Sequence, residues 1–378
     1  MKTYRQFVLL FLGLVISYSL TIAAVNAFVD PYNVTASPAL QRVNLLKPRS
    51  SINTRLFKAI HVILMKPKTI ILGNSRADIG IDPSHPKLVA ASPSYNLSIP
   101  AGDMYEMMRY FQHAIANQPN LKQVVIGIDL VAFDQKDNFG KLDAQQEEIL
   151  EKTDYKPQLL GLLFSTDTLS SSLSTVLSNL REEPIREISL RDGRLIRTNP
   201  PYLTTKQAFR QHLKMAYLNT AYRNYRLSLQ QLDPLRTIAE TCRQKGINLK
   251  VFISPAHVTQ WEAVRVKNLW TAFETWKRDV VKIIPVWDFS GYNSITSEPI
   301  TDDMQNYLES SHYLKEIGNL VLNRMFDYQI DKVPPDFGVL VTSDNIETHL
   351  ASIRTQREAW AAQNPDIIRL VQDWNLEQ

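Results

Sequence analysis

Nucleophilic catalysis needs a hydroxyl or thiol, a base to take its proton and a group to hold that base, and the chain offers such a set in widely separated places. Ser75 stands in "TIILGNSRADIGIDP", where an apolar run of strand character leads straight into a serine flanked by Asn74 and Arg76. Far downstream, "YLESSHY" carries His312 with Glu309 three residues before it. A serine becomes a nucleophile when an imidazole takes its proton, and a carboxylate at that spacing can reach round to hold the imidazole's tautomer. Asp288, in "VWDFSGYN", is the rival acid, also at a strand end. His257, in "SPAH", sits at another strand end; it either lines the pocket and meets a leaving group or is an interior hydrogen-bonding histidine after a proline turn. His61, His85, His113, His212 and His349 have no carboxylate constellation around them in sequence and receive no role.

These residues need elements to bring them together. From Thr69 onward, short apolar runs such as "TIILG", "SYNLS" and "QVVIGIDL" alternate with helical patterns such as "EMMRYFQHAIANQ". Runs that are apolar on both faces suit strands covered by helices on both sides. The pattern resumes at "PLRTIAETCRQKGINLKVFISP", followed by one helix around "EAVRVKNLWTAFETWKRDVVK", a strand in "IIPVWDFS" and a helix in "YLKEIGNLVLNRMFDY". The expected class is α/β, with a doubly wound, flavodoxin-like, mostly parallel sheet. Ligands of such sheets gather beyond the carboxyl ends of the strands, where Ser75, Asp129, His257 and Asp288 all fall. Residues 135–233 change texture and read as a helical insertion or cap, with one hairpin in "EISLRDGRLIRT" turning on Asp192 and Gly193. Residues 31–378 read as one α/β domain, of which residues 333–378 are a C-terminal helical extension packed back on the rest. Trp287, Phe289 and Tyr292 fit core packing better than a sugar platform, and Met104, Met107 and Met108 fit a helix buried in the core.

The order of these blocks resembles the SGNH (GDSL-like) hydrolase and O-acyltransferase superfamily, over roughly Thr69 to Asp134 and Asn248 to Tyr328. "GNSR" is similar to the nucleophile block, with Ser75 as nucleophile; "NLSIPAGD" is similar to the second block; "ESSHY" is similar to the last, with Glu309 in place of the usual aspartate. The resemblance implies an oxyanion hole built from the backbone amides of Ser75 and Gly102. It departs at "GIDL", where Asp129 occupies the position of the family's oxyanion-hole asparagine. An ionised carboxylate repels an oxyanion, and losing one donor costs about 10²–10³ in rate. Three compensations are open: protonation of Asp129, an amide from Asn74 or Asn96, or positive charge from Arg76. Arg76 would either hold an anionic substrate or neutralise Asp129.

The N-terminus adds a location. Lys2 and Arg5 precede an uncharged run from Phe7 to Val29, which as a helix is about 34 Å long and covers a bilayer core of about 30 Å. The two cations favour a cytoplasmic N-terminus, placing the rest of the chain outside, in the periplasm or at the cell surface. Residues 1–30 thus read as a membrane anchor. The "VNA" at Val25 to Ala27 also suits cleavage and secretion, but the run exceeds the usual signal core of about 7–15 residues. The resemblance and the anchor together point to acyl transfer on an envelope glycan or another ester, with water or a sugar hydroxyl as acceptor. The alternative is a catalytically weak or inactive binding or assembly module. With 42 basic and 38 acidic residues and no basic stripe, nucleic acid is not an expected partner. Cys242 is the only cysteine, so no internal disulfide forms, and with no metal-spaced cluster neither a metal nor another cofactor is expected.

Overall fold

A computed structural model describes residues 2–135, 142–184 and 186–376, so 136–141 and 185 of the expected insertion lie outside the described residues. The chain is mixed α/β, built on a mostly parallel six-stranded sheet. Its strands are β1 (Thr69–Leu72), β2 (Ser94–Asn96), β3 (Gln123–Ile128), β6 (Asn248–Ile253), β7 (Val286–Asp288) and β8 (Val339–Val341), in the order β2-β1-β3-β6-β7-β8. β4 (Glu187–Ser189) and β5 (Leu195–Arg197) form a separate antiparallel hairpin. Its turn runs through Arg191, Asp192 and Gly193, closed by Leu190 N to Arg194 O at 2.8 Å, one residue longer than the expected two-residue turn. Gly193, at φ 86°, supplies the left-handed position of such a three-residue turn.

β1 and β3 are buried along their whole length, as apolar strands with neighbours on both edges and both faces must be. They pair in parallel with Leu72 opposite Ile126, so the residues just past them, Asn74 and Asp129, leave the sheet side by side. The expected single helix after β6 is two, Val258–Val266 and Trp270–Val281, broken at Asn268, whose φ of 58° stops the helical backbone. The C-terminal region is not wholly helical. Val339–Val341 adds an antiparallel edge strand to β7 before the helices Ile346–Gln363 and Pro365–Leu376.

The N-terminal helix α1 (Lys2–Val29) is long and apolar enough to cross a membrane, and most of it is exposed. Near its end Ile22, Asn26 and Val29 are buried on one face, at the spacing that repeats along one side of a helix. Its length and composition are consistent with a membrane anchor or a signal sequence.

Two further helices position the site. α2 (Thr54–Met65) lies under α3 (Ser75–Gly80), and Lys58 of α2 donates to Asp78 Oδ1 and to the Ser98 carbonyl, each at 2.5 Å. At the other end of α3, Gly80 meets the segment that carries His312. A methyl group at Gly80 would overlap the Tyr313 ring, and one at Gly318 would overlap the Gly80 carbonyl. Backbone thus touches side chain and backbone there, which draws the front and back of the chain together.

Candidate active site

Ser75 is the first helical residue after β1. Asn74 caps α3, its Oδ1 accepting from the Arg76 amide at 3.0 Å. From Thr69 to Ile81 every residue is buried except Ser75. The turn therefore presents one hydroxyl to the outside. Gly73 is needed behind it, because a Cβ there would stand 2.6 Å from the Ala77 Cβ.

His312 arrives on a tight loop closed by Leu308 N to His312 O at 2.9 Å and Leu314 N to Asn306 O at 2.8 Å. Within it the Glu309 carboxylate accepts the amides of Ser311 at 3.3 Å and His312 at 3.2 Å. The structure brings Ser75, His312 and Glu309 together: His312 Nε2 lies 2.8 Å from Ser75 Oγ, and His312 Nδ1 hydrogen-bonds Glu309 Oε1. A carboxylate only accepts, so the Nδ1 atom carries the proton and Nε2 is free to accept from the serine hydroxyl. Burial lowers the His312 pKa below its ordinary 6.5, more than Glu309 raises it, with His212 and Arg197 adding to the fall. The imidazole is therefore neutral at neutral pH. Burial would raise the Glu309 pKa, but His312 and His212 outweigh it and hold the carboxyl well below the usual glutamate range.

The sequence reading gave His212 no role, and the structure places it in this cluster. It ends the helix Thr205–His212, and its Nδ1 hydrogen-bonds the second Glu309 oxygen, Oε2. Ser310 Oγ also lies 3.0 Å from His212 Nδ1. Two imidazoles thus share one buried carboxylate. No signal in the sequence marked His212, because its partner is about a hundred residues away and its helix belongs to the insertion. The ligand atoms of His212, Glu309 and His312 lie within 4.8 Å of one another, the one such group among the described residues. Both glutamate oxygens are engaged by the imidazoles, so the group is a hydrogen-bonded chain rather than an open set of metal donors. An open groove of about 230 Å³ runs against it between Arg197, Asn199, Leu203, His212, Met215 and Glu309.

Beside Ser75, Arg76 and Asp129 form a buried ion pair, Nε to Oδ2 at 3.6 Å, each only 2% exposed. Asn74 Nδ2 also donates to Asp129 Oδ2, and the Val131 amide donates to Oδ1 at 3.1 Å. Arg76 donates further to Tyr217 Oη at 3.0 Å. Burial pulls the Arg76 pKa down, but Asp129, Tyr217 and Tyr222 outweigh it, and the net shift is upward. Of its two expected roles the geometry matches the second: its Nε faces the Asp129 carboxylate and neutralises it. Tyr217 comes from the insertion, so that part of the insertion packs against the turn that carries Ser75 rather than standing apart from it.

Three expectations need correction, and His257 takes the second of its two open readings. The Gly102 amide donates to Ile99 O at 2.9 Å, closing its own turn, so it is not free for an oxyanion. Asn96 spends its Nδ2 on the carbonyls of Ala77 and Ile81 at 2.9 and 3.0 Å, tying β2 to α3, and supplies no oxyanion donor. Asp288 is not the triad acid. Its carboxylate accepts from Lys277 Nζ at 2.6 Å and His349 Nε2 at 2.8 Å, and β7 stands three strands from β1, about 14 Å away at normal strand spacing. His349 therefore also has a carboxylate partner that its sequence neighbours do not reveal. His257 is an interior histidine: it caps the helix Val258–Val266, its Nε2 donates to Glu298 O at 2.8 Å, and burial lowers its pKa to about 4. Phe289 and Tyr292 are buried, as are Met104 and Met107, in keeping with the core reading of both groups.

No family model matches the chain, and no curated protein matches it either.

Proposed function

We propose that the protein is a membrane-anchored, extracytoplasmic serine esterase or O-acyltransferase with an SGNH-like site. The observation that carries this reading is the 2.8 Å approach of Ser75 Oγ to a buried, neutral His312 whose far nitrogen is held by Glu309. In the proposed reaction Ser75 Oγ attacks an acyl carbonyl as its proton passes to His312 Nε2, and Glu309 stabilises the resulting imidazolium. The tetrahedral oxyanion sits at the start of α3. There the Ser75 amide has no intrahelical acceptor, and Asn74 has a second amide hydrogen beyond the one given to Asp129. Collapse expels the alcohol, which takes the proton from His312. Water, or a sugar hydroxyl of an envelope glycan, then attacks the acyl-serine by the reverse path.

The strand order and the parallel pairing of β1, β2, β3, β6 and β7 support a flavodoxin-like, doubly wound sheet beneath this site. The loop cluster at the strand ends supports the superfamily reading despite Glu309, Asp129 and the engaged Gly102. Lys2 and Arg5 support a cytoplasmic N-terminus. Retention of the anchor is favoured because Asn26 donates to the carbonyls of Leu163 and Ser165 at 2.8 and 3.0 Å, contacts that cleavage after Ala27 would remove.

A second reading, a binding or assembly module with a spoiled oxyanion hole, is favoured by two observations: Asp129 stands at the family's donor position, and the Gly102 amide is engaged. Hydrolysis of p-nitrophenyl acetate by the full chain separates the two. Turnover that disappears in Ser75→Ala supports the enzyme; equal rates in wild type and Ser75→Ala support the module.

A further inference from the structure

The nine residues Lys156–Phe164 form a helix that contains "LLGLLF" and buries none of its residues. Leu159 and Leu162 lie partly buried against the core, but Leu160 is 54% and Phe164 46% exposed, so one apolar face of the helix stands open. A helix of that kind is stable inside a core or in lipid, not in water. The rest of the chain covers the Leu159 and Leu162 side but not the face of Leu160 and Phe164, so something else must.

Its position says what. The C-terminal end of the helix is pinned to α1 by Asn26, whose Nδ2 donates to the Leu163 and Ser165 carbonyls and whose Oδ1 accepts from Ser172 Oγ at 3.0 Å. On α1 itself, residues 3–20 are exposed almost throughout and burial begins at Ile22. Those residues span about 27 Å as a helix, close to the thickness of a bilayer core. The apolar helix is therefore tied to the level at which α1 would leave the lipid. Phe28, 52% exposed, stands at the same level.

We infer that Lys156–Phe164 is an interfacial helix that inserts Leu160 and Phe164 into the outer boundary of the bilayer beside α1. This rests on reading α1 as a membrane anchor. A lone spanning helix would let the catalytic part swivel; a second apolar contact sets its tilt. The groove against His212 and Glu309 is thereby held at a fixed attitude to the membrane surface.

Spin labelling of the full chain in phosphatidylcholine–phosphatidylglycerol nanodiscs tests this. Cys242 is 1% exposed, so labelling goes to introduced cysteines. Nitroxides are placed singly through Leu160→Cys, Phe164→Cys, Leu12→Cys in the exposed part of α1, and Gln356→Cys on the distal C-terminal helix. The expected result is a collision ratio of oxygen to a water-soluble nickel chelate several-fold higher at 160, 164 and 12 than at 356. A water-like ratio at 160 and 164 with a lipid-like ratio at 12 overturns the inference and leaves the anchor standing. Low access to both relaxants at 160 and 164 also overturns it, because a second copy or another protein then covers the helix. A water-like ratio at 12 removes the anchor reading itself.

Discussion

Asp129→Asn removes the carboxylate charge beside Ser75 while keeping its shape, and the structure dictates two outcomes of opposite kind. Asp129 and Arg76 are each 2% exposed and 3.6 Å apart. At an effective dielectric constant of about 20 their attraction is about 4.6 kcal/mol. Removing the negative charge strands a buried guanidinium with the Tyr217 hydroxyl and an amide oxygen, a situation that costs about 3–5 kcal/mol. Urea unfolding of the full chain in detergent, followed by tryptophan fluorescence, reads this as a lower midpoint at unchanged slope. The chemistry responds differently. Asp129 is not a donor to the oxyanion, so folded Asp129→Asn protein escapes the loss of about 10²–10³ that accompanies removal of an oxyanion donor. Two results would refute the reasoning: a wild-type urea midpoint, which would mean that Asp129 does not hold the Arg76 charge, and a hundredfold loss of Ser75 reactivity in folded protein, which would give Asp129 a part in the reaction.

The pH profile follows from His312. The base must be neutral, and its folded pKa lies below 6.5, so kcat/KM for p-nitrophenyl acetate is at plateau at neutral pH and falls only as pH drops through a midpoint below 6.5. A midpoint at 7 or above would contradict the buried, neutral imidazole. His212 acts through Glu309 and is a positioning residue: His212→Ala lowers kcat roughly tenfold, the equivalent of one charged hydrogen bond of about 1.5 kcal/mol, at unchanged KM. Because His212 depresses the His312 pKa, the same variant moves the acid limb upward, and His212→Gln recovers part of kcat; a purely structural role would leave the limb in place. Lys277→Met leaves Asp288 without its principal partner and costs about 3–5 kcal/mol in urea unfolding. The folded fraction keeps wild-type Ser75 reactivity, whereas loss of that reactivity would return Asp288 to the list of triad acids.

What the sequence showed and what it hid divide along the range of the interactions. Strand and helix alternation is local, so the parallel sheet and the serine at its lip were legible. Glu309 and His312 are three apart, and their pairing could be read from spacing. His212 and Glu309 meet only because the insertion folds back over the strand ends, and nothing near His212 records that. The partners of Asp288 likewise come from other elements, for Lys277 approaches from the preceding helix and His349 from the tail. Gly102 fits the expected block, yet its amide is consumed by a turn that Ala101 closes at φ 57°, a backbone choice that residue type does not announce. The edge strand Val339–Val341 is three residues long and half exposed, too short to carry a period.

The central claim is that Ser75 is a nucleophile activated by His312, and reaction of the full chain with a fluorophosphonate, mapped by peptide mass spectrometry, tests it most directly. The account predicts one adduct, on the peptide carrying Ser75, absent in Ser75→Ala and strongly slowed in His312→Ala. A folded protein that takes up no probe at Ser75, or takes it up equally fast without His312, would contradict it.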